Sequence, residues 1–90
     1  MANFTCDLRP DAEDDLADLY LSATDPTAVT AADAAGYRLL TADPYTNGTP
    51  LPEGLWRLIV APLAFFYAID ETARHVSVTN IRRVKPNPNP

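Results

Sequence analysis

Arg82, Arg83 and Lys85 fall close together near the end of this 90-residue chain, and Arg57 sits inside an apolar run. Clustered guanidinium and ammonium groups can grip phosphate or an acidic partner. The alternative is that the cluster only solubilises the last strand and that Arg57 pairs with an acid such as Glu53 or Asp70. The rest of the chemical inventory is thin. His75, the only imidazole, stands beside Arg74 at the start of a strand and reads as a surface histidine rather than a general base. Asp11, Asp14, Asp15 and Asp18 lack a histidine or cysteine neighbour and follow the order of a solvated helix face, so no metal site is expected. Tyr67 reads as a core side chain rather than a catalytic phenol. The single cysteine, Cys6, excludes an intramolecular disulfide and fits a reducing cytoplasm.

Charge narrows the choice of partner. The net charge of −5 argues against a nucleic-acid binder, because phosphate affinity comes largely from clustered lysine and arginine. That average hides an asymmetry: residues 1–53 carry ten acids and two bases, net −8, and residues 54–90 carry two acids and five bases, net +3. Most of the acids are expected to solvate helix faces. An apolar content of 47% in 90 residues suits one domain with a single core and leaves no room for a deep cofactor cavity. No apolar stretch approaches membrane-spanning length, and no N-terminal run resembles a leader. A soluble, unprocessed chain without cofactor is expected.

The elements that must position these residues follow from periodicity. Phe4, Cys6 and Leu8 alternate with Thr5 and Asp7, the two-residue period of a first strand. Pro10, with Asp11 and Glu13 behind it, opens a helix whose inward stripe is Ala12, Leu16, Leu19, Tyr20 and Ala23, with Asp14, Asp15 and Asp18 in water. Asp25-Pro26 caps and starts a second helix that runs to about Ala42 and packs closely through Gly36. Residues 43–52, rich in proline, glycine, asparagine and threonine, read as a loop. Two apolar runs meeting at Ala61-Pro62 form a hairpin. Its second strand is apolar on both faces and therefore central. A fourth strand over residues 74–83 breaks period two near Asn80, where a bulge is expected. Residues 1–85 form the single domain, and the Pro/Asn tail 86–90 is expected to be extended and mobile.

In this order the elements, together with Ala12 and Leu16 early in the first helix, Leu40-x-x-Asp43-Pro44, Gly48, Gly54-Leu55-Trp56-Arg57-Leu58 and Tyr67-x-Ile69-Asp70-Glu71, resemble the RelE/ParE family of bacterial toxins. The resemblance implies an α+β fold, β-α-α-β-β-β, with a two-helix hairpin packed on one face of an antiparallel sheet. It also implies the toxin of a type II toxin–antitoxin system, a plasmid-stabilisation type of protein. Such a chain acts in the cytoplasm on a protein target such as DNA gyrase, or on the ribosome as a metal-independent endoribonuclease that cuts mRNA, and a cognate antitoxin neutralises it. Nuclease members place basic side chains on the sheet. Arg57 falls at one such position and is the weak catalytic candidate, whereas Ile59 and Ala64 stand where further bases are expected and no tyrosine follows Tyr67. The resemblance therefore implies an incomplete nuclease site, with Arg57, Arg82, Arg83 and Lys85 as target- or antitoxin-binding residues. The competing expectation is a non-catalytic α+β interaction module or a degenerate toxin.

Overall fold

The computed structural model describes residues 3–84; Lys85 and the tail 86–90 lie outside the described residues. Proline starts each helix. Pro10 opens α1 (Pro10–Ser22), with Asp11 and Glu13 in its first turn, where carboxylates meet the positive helix end. Pro26 opens α2 (Pro26–Ala42), and the Asp25 carboxylate accepts from the Ala28 backbone N–H at 3.3 Å. The same wording recurs at Asp43-Pro44. There the Asp43 carboxylate accepts from the Tyr45 and Thr46 backbone N–H groups, both at 3.1 Å, and caps a one-turn helix α3 (Pro44–Asn47). The segment expected to be loop thus contains a helical turn because it carries a full cap signal.

Five strands form one sheet in the order β1-β5-β4-β3-β2. They are β1 (Thr5–Leu8), β2 (Thr49–Pro50), β3 (Trp56–Val60), β4 (Leu63–Asp70) and β5 (His75–Arg83). β4 is central, as its two apolar faces require, and the hairpin from β3 to β4 turns at Ala61-Pro62. The sheet is mixed rather than wholly antiparallel, since β1 lies parallel to β5 with Cys6 opposite Val76. Alternation within a strand reports which side is buried and carries no information on direction. The expected irregularity is present: Phe66 faces Asn80 and Tyr67 faces Val78, leaving Thr79 as the extra residue.

All helices pack on one face. Phe65, Tyr67, Leu58, Val76, Val78 and Ile81 reach the core there beside Ala12, Val29, Ala32 and Leu40 from the helices. Each fully buried aliphatic or aromatic side chain contributes about 1.5–3 kcal/mol. Two glycines admit close approach. A Cβ at Gly36 would lie 2.6 Å from the Phe65 ring, and one at Gly48 would lie 2.9 Å from Cζ of Tyr67 and nearer still to its hydroxyl. Tyr67 is fully buried and its hydroxyl donates to the Pro44 carbonyl at 2.7 Å, which anchors α3 to the sheet. Burial pushes that phenol up to about 12, so it remains a donor. Edge-to-face contacts run from Phe4 to Tyr45 and from Tyr45 to Trp56, and Trp56 stacks on Tyr67.

Candidate functional site: the open sheet face

Strand parity decides which residues escape the helices. Leu58, Phe65, Val78 and Ile81 point inward, so Arg57, Ile59, Ala64, Phe66, Ala68, Asn80 and Arg82 belong to the opposite face. Register then aligns them in rows, with Arg57 beside Phe66 and Phe66 beside Asn80, and Ile59 beside Ala64 and Ala64 beside Arg82. Ile59 is 51% exposed. With strands about 4.8 Å apart, Arg57 and Arg82 stand two strands from each other on this face. Between them on β4 lie the half-buried Phe66 and the buried Ala64.

The basic residues read from the sequence part company here. Arg57 is half-buried beside Phe66 and joins no ion pair among the described residues, neither with Glu53 nor with Asp70. Arg82 reaches round the free edge of β5, and its Nη1 lies 2.8 Å from Asp15 Oδ2 on α1. Arg83 projects toward the helices and donates to the Ser22 hydroxyl at 3.4 Å. It lines an apolar hollow of about 390 Å³ at the corner between α1 and α2, with Leu19, Val29 and Pro62. Adjacent strand residues point to opposite faces, so Arg82 and Arg83 do not act as one cluster. Lys85 lies outside the described residues.

Asp15 was expected in water and is not a solvated helix acid. Beyond Leu8, β1 stops and α1 covers the exposed edge of β5, where the Ile81 backbone N–H donates to Asp15 at 3.0 Å. That backbone bond, with Arg82 beside it, holds the Asp15 carboxyl below its usual range. Ala12, Asp15, Leu16 and Leu19 share the i, i+3, i+4, i+7 stripe, so helical spacing carried the signal although the residue type concealed it. Phe66 and Asn80 were likewise not singled out, and only register brings them to Arg57.

His75 is held rather than free. Its Nδ1 meets the Thr5 hydroxyl and its Nε2 lies 3.1 Å from Asp7, both across the parallel β1–β5 pair. No cluster of three or more metal-ligating side chains occurs among the described residues. No described helix is long and apolar enough to cross a membrane. Burial, then the neighbouring Asp7, pushes the half-buried Cys6 thiol up to about 11, away from nucleophilic chemistry at neutral pH.

No family model matches the sequence, and no curated protein does. Solved structures do. A chain of the RelBE2 toxin–antitoxin complex from Mycobacterium tuberculosis superposes with a TM-score of 0.79 at 21% identity, over 92% of this chain and 93% of that one. A chain of the chromosomal ParDE toxin–antitoxin system of P. aeruginosa gives 0.67 at 14% identity, over 94% of this chain and all of the other. The α+β architecture is therefore the RelE/ParE fold, complete from the first strand to the last.

Proposed function

We propose that this chain is the toxin component of a type II toxin–antitoxin pair and arrests growth in the cytoplasm by binding a protein target such as DNA gyrase. The toxin assignment is supported by end-to-end similarity of fold to the RelBE2 and ParDE chains, together with the ordered sequence pieces that resemble the family. The observation that carries the choice of target is the makeup of the open sheet face. Cutting RNA through its 2′-hydroxyl needs a base, an acid and cations for the charge on the transition state. Around Arg57 the face offers the half-buried Phe66 and the exposed Ile59, with Ala64 buried beside them, and Arg82 is already paired with Asp15. An apolar platform with one guanidinium suits a protein surface, where aromatic and arginine anchors supply most of the binding energy. An antitoxin would cover the chain until it is removed.

Induction of the chain alone in a bacterial culture tests the reading. Growth arrest is expected, relieved by Arg57→Glu or Phe66→Ser, with gyrase supercoiling inhibited in vitro and mRNA left intact in a purified translation system. Unimpaired growth from soluble, folded protein would favour a degenerate toxin or a plain interaction module. Cleaved mRNA would overturn the choice of target.

A further inference from the structure

A second hollow, of about 530 Å³, opens between α2 and β1 on the helix-covered side of the sheet. That volume falls among those of small-ligand sites. Leu40, Phe65 and Val78, all buried, form its floor, and the half-buried Cys6 and Leu8 of β1 form one wall. Asp33 and Tyr37 line it from α2. Their i, i+4 spacing puts a carboxylate and an aromatic ring on one side of the helix, one turn apart. Tyr37 is 54% exposed and Asp33 half-buried.

Asp33 decides the charge of what fits. It joins no ion pair among the described residues, its field reaches the Cys6 thiol in the facing wall, and partial burial pushes its own carboxyl up. An apolar occupant alone would strip more water from this carboxylate, which is costly unless a cation comes with it. The other acid of the lining, Asp7, is already taken by His75. Arg38 is the one base in the lining, and its i+5 position turns it well round the helix from Asp33. On the far side of Asp33 an adjoining hollow holds Glu13 and no base. Tyr37 adds a ring face that attracts a cation. We propose that the hollow between α2 and β1 binds a small organic ammonium with an apolar body. Asp33 accepts the hydrogen bond from its N–H, Tyr37 lies beside the charge, and the body covers Leu8 and Cys6. The site is on the opposite side of the sheet from Arg57 and Phe66, and it does not depend on the toxin reading.

The test titrates the isotope-labelled full chain by NMR with phenethylamine, phenethyl alcohol and hydrocinnamate, probes that share one aromatic body and differ in charge. The amine is expected to shift the backbone amides of Cys6, Leu8, Asp33 and Ala34 saturably. It should bind about tenfold more tightly than the alcohol, the difference of one hydrogen bond to a charged group, with the carboxylate weakest. Asp33→Asn, which keeps the shape of the side chain, should cost the amine about tenfold and leave the alcohol unchanged. Tyr37→Leu, apolar but without the ring, should cost the amine about threefold. Arg38→Gln should tighten the amine by removing a like charge. Equal binding of the probes, preference for hydrocinnamate, an amine affinity indifferent to Asp33→Asn, shifts centred on another part of the chain, or no saturable shift at millimolar amine would each overturn the proposal. Growth arrest on induction tests the toxin reading alone, and neither of its outcomes alters these titrations.

Discussion

Gly48→Ala should be among the most damaging small substitutions in the chain, for a steric rather than a conformational reason. Gly48 has φ −112° and ψ 176°, an extended backbone open to any residue. Its added methyl would instead meet the Tyr67 hydroxyl well inside contact distance, with Cζ at 2.9 Å and the Pro44 carbonyl at 3.1 Å. Tyr67 is fully buried and packed against Trp56, so it cannot swing into solvent. Moving the ring sacrifices its bond to Pro44 and leaves a buried donor and acceptor unmatched, about 1–3 kcal/mol. Overpacking adds about 1–3 kcal/mol. A net loss of about 2–6 kcal/mol is expected, lowering the melting temperature of a domain this size by about 10 °C or more. Tyr67→Phe alone should cost about 1–2 kcal/mol, since it removes only the hydroxyl. The double variant removes the oxygen that the new methyl strikes. It should therefore be at least about 1 kcal/mol more stable than the two single losses predict, a coupling expected only of residues in contact. Urea unfolding of the four proteins measures the cycle. Additivity within about 0.5 kcal/mol, or a Gly48→Ala protein as stable as the parent, would refute the packing argument.

Other consequences can be checked with the same protein. The Ile81 backbone N–H and Arg82 hold the Asp15 carboxyl below the ordinary aspartate range in the folded chain, so the stability it lends is present above the unfolded-state pKa and is lost as pH falls through the lower folded one. Asp15→Asn should thus be less stable than the parent at pH 7, and urea midpoints of the two should converge in strong acid; a constant difference across that window would contradict the assignment. Cys6, held up to about 11 by burial, should react slowly with a thiol reagent at pH 7.5 and quickly in urea, and fast labelling of the native chain would show the strand edge to be open. Asp25→Ala, which removes the α2 cap, should cost about 1 kcal/mol in thermal unfolding, and a change under a few tenths would mean that Pro26 alone starts the helix.

The elements were legible where one local signal decided them. Alternation found β1 and the hairpin, proline with flanking acids found both long helices, and broken period near Asn80 found the bulge. Asp43-Pro44 shows the opposite case. It repeats the cap wording of Asp25-Pro26, yet the turn formers behind it argue for loop; the Asp43 cap starts the helical turn and the bond from Tyr67 to Pro44 anchors it to the sheet. The parallel pairing of β1 with β5 was illegible because it depends on which end of the sheet the two helices return the chain to. Site residues suffered more. Neighbours in sequence such as Arg82 and Arg83 look like a cluster until strand parity sends them to different faces, and Asp15 looks solvated until the end of β1 leaves Ile81 needing an acceptor.

That acceptor has a wider consequence for function. By satisfying the β5 edge and pairing with Arg82, Asp15 leaves Arg57 as the one cation in the strand rows of the open face that has no ion pair among the described residues. Each phosphate neutralised on a single strand adds about −0.7 to the slope of log affinity against log salt. Binding of single-stranded RNA through this face should therefore be weak, with a slope no steeper than about −1 to −1.5 even if a second cation is recruited. Fluorescence titration of a labelled oligonucleotide at several salt concentrations measures it. Asp15→Asn, which frees Arg82, should steepen the slope by about one phosphate's worth, whereas Arg57→Ala should flatten it. A parent slope of about −2 or steeper would mean that Arg82, Arg83 and Arg57 engage phosphate together despite their separation, and would return RNA to first place among the targets.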